Sequence, residues 1–170
     1  MENNSHKIII ILGVSGCGKT TIGRLLATET GFDFYDADDF HPKSNIDKMK
    51  NNIPLTDEDR FPWLQILANK MQKWYGINSF VLGCSALKES YRQILDSNFK
   101  NIIWIYLKGD PDLIASRLET REGHFMKPAM LSSQFEALEI PNYGLHIPIK
   151  QSPSEILKTI KSKLKLDEKI

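Results

Sequence analysis

The chain has 170 residues, 41% of them hydrophobic and 25% charged, the balance of one folded domain, 1–170, with a full core. Its formal net charge of +1 gives no bulk reason to expect nucleic acid. The two cysteines, Cys17 and Cys84, have no metal-ligand spacing and suggest no disulfide framework, so a reducing, cytoplasmic setting is expected.

The N-terminal residues 1–7 are polar, and the apolar run at 8–12 after them is too short for a signal core or a membrane span. That run is continuous and β-branched, which predicts a central parallel strand covered on both faces. A helix is predicted over about 18–30, stopped by Gly31. Residues 33–36 read as a second strand that ends in the acidic cluster Asp36, Asp38 and Asp39, followed by His41-Pro42. Pro42 suits the first position of a helix, whose modest apolar side is Ile46 and Met49. Thr56-Asp57-Glu58-Asp59 opens a long amphipathic helix carrying Trp63, Ile66, Leu67, Met71 and Trp74, with Gly76 as its stop.

A third strand is predicted at 79–83, then a helix capped by Ser85 that carries Leu87, Tyr91, Ile94 and Leu95. Residues 101–107 form the strongest strand after the first. Asp110-Pro111 is an N-cap followed by proline at the first helical position, and that helix runs to about 121. The stretch 122–128 breaks the periodicity, 130–139 is helical again, and 145–149 is a weak fifth strand. Ser152-Pro153-Ser154-Glu155 is a capping box for the last helix, whose buried stripe is Ile156, Leu157, Ile160 and Leu164. Strands alternating with helices predict an α/β protein: a three-layer α/β/α sandwich on a mainly parallel five-stranded sheet. Ligands in such folds gather at the C-terminal ends of strands. The loops after strands one, two and three should therefore converge.

The first of these loops is Gly13-Val14-Ser15-Gly16-Cys17-Gly18-Lys19-Thr20, which fits the phosphate-loop pattern G-x-x-x-x-G-K-[ST] between a strand and a helix. Glycines let backbone N–H groups point at phosphate oxygens, and the helix start adds unpaired N–H groups and the positive end of its dipole. The nucleotide-binding set is then Gly13, Ser15, Gly16, Cys17, Gly18, Lys19, Thr20 and Thr21. Lys19 would reach the β- and γ-phosphates of ATP, and the Thr20 hydroxyl would ligate Mg²⁺. The N-K-x-D motif of a guanine-specific GTPase is absent. The third strand ends Gly83-Cys84-Ser85 without an acidic residue, so the usual second carboxylate for Mg²⁺ is missing there. Asp38 is the chosen substitute, as metal ligand and as the group that orients the attacking hydroxyl. Asp36 is the runner-up, or a strand-end cap.

Several further blocks resemble the gluconokinase family of small phosphate-loop sugar-acid kinases. They are Asp36-Ala37-Asp38-Asp39-Phe40-His41-Pro42-Lys43-Ser44-Asn45-Ile46-Asp47-Lys48-Met49, Asp57-Glu58-Asp59-Arg60-Phe61-Pro62-Trp63-Leu64, Cys84-Ser85-Ala86-Leu87-Lys88, and the segment from Arg117 to Glu139. The resemblance covers roughly 8–140. It departs from the family at Ala37, where Gly is frequent, and at Cys17, where Ser is frequent. It implies a fold like shikimate and nucleoside monophosphate kinases, with a helical lid at about 117–130 and a substrate segment at about 40–76. It also implies Mg²⁺- and ATP-dependent phosphorylation of D-gluconate at its terminal hydroxyl, with a homodimer as the assembly and neither nucleic acid nor membrane as partner.

A substrate that is an anion rich in hydroxyls needs Arg or Lys for its carboxylate and Asp, Asn or His for its hydroxyls. The candidates are His41, Asn45, Lys48, Arg60 and Arg92, with His124 in the lid. His41 alternatively caps the helix at Pro42, and Arg60 alternatively pairs with Asp57 or Glu58. Trp63 lies on the apolar stripe and reads as core. Arg117 and Arg121 share one helix face and, by the resemblance, clamp the transferring phosphate together with Lys19. Two other readings stand beside this one: a kinase of shikimate, another sugar acid or a nucleoside monophosphate, and a nucleotide-gated binding module.

Overall fold

The computed structural model describes residues 5–119 and 128–165. Most of the expected lid, with Arg121 and His124, lies outside the described residues. The elements are β1 (Ile8–Leu12), α1 (Lys19–Thr30), β2 (Asp33–Asp36), a 3₁₀ turn (Ala37–Phe40), α2 (Lys43–Lys50), α3 (Asp57–Tyr75) and β3 (Phe80–Gly83). They continue with α4 (Glu89–Asp96), β4 (Ile102–Lys108), α5 (Pro111–Glu119), α6 (Pro128–Ala137), β5 (Leu145–Pro148) and α7 (Pro153–Leu164). The sheet order is β2-β3-β1-β4-β5, and every neighbouring pair is parallel.

β1 is central because its five residues are apolar on both faces, which only a doubly covered strand tolerates. Its alternation divides the core. Ile9 and Ile11 face Ile22 and Leu26 of α1 and Ile156 and Ile160 of α7. Ile8, Ile10 and Leu12 face Trp63, Leu67 and Met71 of α3 and Tyr91 of α4. A period of two along one strand thus makes a three-layer sandwich.

Local signals act as their chemistry requires. Gly31 stops α1 at φ +77°, and reciprocal capping boxes at Thr56/Asp59 and Ser152/Glu155 open α3 and α7. Gly76 ends α3 as expected, in right-handed conformation. Three local expectations change. Pro42 occupies the N-cap of α2 and not its first turn. In the same helix Asn45 is 2% exposed while Ile46 is 37% exposed, so the buried side of α2 is polar. Ser85 caps nothing: α4 starts four residues later, with Lys88 at its N-cap.

The reason is a clasp around Arg92. The segment 84–88 runs non-helically, with Ala86 at φ +38°. Arg92, expected at the substrate, is placed inside the protein at 1% exposure. Its Nε donates to Ala86 O at 2.9 Å, Nη2 to Leu87 O at 3.0 Å and to Glu139 O, and Nη1 to Glu89 Oε2 at 3.0 Å. A buried guanidinium is tolerated because its donors are paired. The same fork leaves it unsuited to holding a ligand. Replacing Arg92 with Met should cost about 3–5 kcal/mol of stability in urea denaturation, because carbonyls and Glu89 lose a shared partner. Unchanged stability would show that the clasp is dispensable.

Candidate active site

Two glycines of the phosphate loop are fixed by close approach. A Cβ on Gly13 would lie 2.7 Å from Cys17 Sγ and 3.1 Å from Leu107 O. One on Gly16, at φ +83°, would lie 2.9 Å from Leu118 of α5. α1 begins after Gly18 with no side-chain cap, so its first N–H groups are left for an anion. Lys19 Nζ donates to Gly13 O at 2.9 Å and Val14 O at 3.0 Å, which folds the ammonium into the loop. Cys17 is buried behind it, a filler of the loop. Thr21 is exposed on α1.

The acidic cluster comes to this loop from β2. Thr20 Oγ1 donates to Asp36 Oδ2 at 3.2 Å. Asp36 Oδ1 accepts from the Asp38 backbone N–H at 3.0 Å and so caps the 3₁₀ turn. Burial, and then the neighbouring Asp38 and Asp39, raise the Asp36 carboxyl above the usual carboxylate range, although its two hydrogen bonds oppose this. Cys84, at the end of β3, lies within the fields of Asp38, Lys19 and Asp36, and burial pushes its thiol up to about 12. The three loops therefore converge as expected.

The Asp38 carboxylate is exposed, with Oδ1 3.5 Å from His41 Nε2. The His41 ring stacks on Trp63 with centroids 4.2 Å apart and planes 16° from parallel. Its Nδ1 faces Asn45 Nδ2 at 3.2 Å, and the same amide donates to Asp59 O at 2.9 Å. With Nδ1 accepting, the ring proton sits on Nε2 and faces Asp38. Trp63 is core, as expected, and its Nε1 also holds the acidic turn through Ala37 O at 2.8 Å.

The basic candidates separate. Lys48 Nζ grips both Asp59 oxygens, at 2.9 and 2.8 Å, so its charge is matched inside the protein. That bond, with the Thr56 backbone N–H, holds the Asp59 carboxyl at about 2. Arg60 Nη1 donates to Leu55 O at 2.8 Å and to the Tyr91 hydroxyl at 3.1 Å. The Tyr91 hydroxyl donates in turn to Asp57 Oδ1 at 2.5 Å, which Lys88 also holds. Arg60 thus reaches Asp57 through a tyrosine, and makes no direct ion pair among the described residues. Arg117 Nη2 donates to Ile149 O at 2.6 Å, beyond the end of β5.

Asp36, named from the sequence as runner-up or strand-end cap, and not Asp38, meets Thr20, and it also caps the turn. One feature escaped the sequence. Gln134 of α6 contacts Ser15 of the loop. The available signal for Gln134 was its position: Leu131, Gln134, Phe135 and Leu138 follow helical spacing, so a polar residue interrupts the apolar stripe.

The family model described as Shikimate kinase matches residues 15–161. The thermoresistant gluconokinase of Escherichia coli strain K12 is 46% identical, over 82% of this chain and 80% of that one. The chain belongs to the gluconokinase family. The gluconokinase of Arabidopsis thaliana is 41% identical over 91% of this chain and 90% of its own. A crystal structure of a gluconokinase from Sinorhizobium meliloti 1021 superposes with a TM-score of 0.86 at 35% identity, covering 95% of this chain and 93% of that one.

The Asp59 carboxyl gives a test in acid. Because its folded value, about 2, lies below the ordinary one, its contribution to stability is complete above the ordinary carboxylate range and is lost as pH falls through the folded value. Asp59→Asn should therefore lower stability at neutral pH and flatten the fall in melting temperature between about pH 4 and pH 2. A variant profile parallel to the wild type would contradict the Lys48–Asp59 pairing.

Proposed function

We propose that the protein transfers the terminal phosphoryl group of ATP to the terminal (C6) hydroxyl of D-gluconate, giving 6-phospho-D-gluconate and ADP. One line of contacts carries this reading: Thr20 to Asp36, Asp36 to the turn bearing Asp38, Asp38 to His41, and His41 to Asn45. It joins a nucleotide cradle to a cluster of hydroxyl-binding groups. The named gluconokinase relatives support the choice of acceptor.

Mg²⁺ fits this arrangement. The Thr20 hydroxyl and the Asp36 carboxylate are adjacent oxygen donors, and a cation would offset the burial and neighbouring negative charge that raise Asp36. Among the described residues no group of three or more His, Cys, Asp or Glu could hold a metal alone. This suits an ion that usually takes one or two protein oxygens and completes its shell with phosphate and water. When bound, it would neutralise phosphate charge.

The chain's own groups do the rest. The backbone of Gly13, Ser15, Gly16, Cys17, Gly18, Thr20 and Thr21 shapes the cradle, and Lys19 exchanges the Gly13 and Val14 carbonyls for β- and γ-phosphate oxygens. Asp38 accepts the acceptor's hydroxyl proton, while the His41 Nε2–H holds that carboxylate in place. The stack on Trp63 and the Asn45 amide fix His41. Positioning of this kind supplies most of the catalysis in phosphoryl transfer. Arg60, with a guanidinium only partly committed, is the better partner for the gluconate carboxylate, and Lys48 acts through Asp59. Arg117, with Arg121 and His124 outside the described residues, is assigned to phosphate and substrate closure. No described helix is long and apolar enough to cross a membrane, which is compatible with action in the cytoplasm.

The test is ADP release from Mg-ATP with D-gluconate, other sugar acids, shikimate and nucleoside monophosphates. Stimulation by D-gluconate, with phosphate on the terminal hydroxyl, is the expected result. Stimulation by another acceptor would overturn the substrate, and acceptor-independent hydrolysis alone would favour a nucleotide-gated module. Asp38→Asn should keep ATP binding and lose turnover by about a hundredfold or more. Asp36→Asn should also lose turnover, yet leave the nucleotide-free melting temperature unchanged or higher, because a disfavoured charge is removed. A fall in melting temperature would make Asp36 structural.

A further inference from the structure

We infer that Gln134 is a positioning residue of the nucleotide site, acting through Ser15. The side chain holds the backbone N–H and the hydroxyl of one loop residue. Its Oε1 accepts from the Ser15 backbone N–H at 2.7 Å, and its Nε2 donates to Ser15 Oγ at 3.0 Å. The two residues are 119 apart in sequence, so nothing local enforces the contact.

The consequence follows from how the loop is otherwise held. Lys19 fixes Gly13 and Val14 from inside, and Cys17 N–H turns back to Val14 O at 3.3 Å. Beyond Cys17 the chain enters α1. Ser15, half-buried between these points, takes its orientation from the carboxamide. A loop that keeps its shape without ligand binds phosphate with less ordering cost.

Gln134 is also well supported. Past the end of α6, the Glu139 N–H donates to Leu87 O at 2.8 Å, and Glu139 Oε1 accepts from the Glu89 N–H at 2.7 Å. Arg92 donates to Glu139 O. α6 therefore runs as a strut from the phosphate loop after β1 to the clasp after β3, and Gln134 is its contact on the donor side.

This inference rests on the kinase reading, so its test includes a readout that needs no acceptor. ATP and ADP binding would be measured by calorimetry on the wild type, Gln134→Ala, Gln134→Glu, Ser15→Ala and the Gln134→Ala/Ser15→Ala double variant, with melting temperatures and steady-state kinetics. Gln134→Ala should weaken nucleotide binding or kcat/KM for ATP by about tenfold, with KM for D-gluconate within about twofold. Gln134→Glu keeps the acceptor but adds a negative charge near phosphate, and should weaken ATP more than Gln134→Ala does. The double variant should lose less than the product of the single effects. A lowered melting temperature with unchanged nucleotide affinity would make Gln134 only an anchor for α6 and overturn the inference, as would independent effects in the double variant. If the wild type bound ATP but ignored D-gluconate, the acceptor assignment would fail while the binding data still decided the role of Gln134.

Discussion

A hydrogen bond joins Thr20, in the first turn of α1 after β1, to Asp36 at the end of β2, although β1 and β2 are not neighbours in the sheet. β3 lies between β1 and β2, and its end carries Gly83 and Cys84 with no carboxylate. The acidic group of the site therefore comes from the edge strand, over the end of the middle one. The acidic side of the site takes its position from this crossing. The 3₁₀ turn starts at the Asp36 cap, the turn presents Asp38, and His41 follows at its end.

The polar line is held by an apolar frame with few buried polar residues. Asn45, Ser79 and Arg92 are buried. Asn45 joins His41 to Asp59, Ser79 accepts from the Lys7 N–H, and Arg92 closes the clasp. Buried polar groups without partners are costly; these have partners drawn from distant parts of the chain. The stacking of His41 on Trp63 ties the substrate side of the site to the core of α3. Stability and catalytic geometry are in this sense shared by the same side chains.

Much of this was legible in the residues. The run at β1, the capping boxes, Gly31 and the phosphate loop each impose one local outcome, and the parallel sheet follows from their order. The side chains that changed roles lack such local signals. An arginine in a family block reads as a candidate for the substrate carboxylate, and only the fold brings Ala86, Leu87 and Glu139 carbonyls around Arg92. α2 has eight residues and a weak apolar pattern, too little to fix which side is buried, and the fold buries Asn45 in place of Ile46. Asp36 and Asp38 are two residues apart in a turn, where sequence spacing does not say which carboxylate faces Thr20. Gln134 depends on a contact between α6 and a loop at the other end of the chain.

The proposed mechanism divides the labour: Asp36 with Thr20 would serve the metal, and Asp38 with His41 the acceptor hydroxyl. The most direct measurement is Mn²⁺ affinity in the ADP complex by electron paramagnetic resonance, for the wild type, Asp36→Asn and Asp38→Asn. The account predicts that Asp36→Asn weakens Mn²⁺ retention while Asp38→Asn leaves it near wild type. Equal loss in both variants, or loss in Asp38→Asn alone, would contradict it.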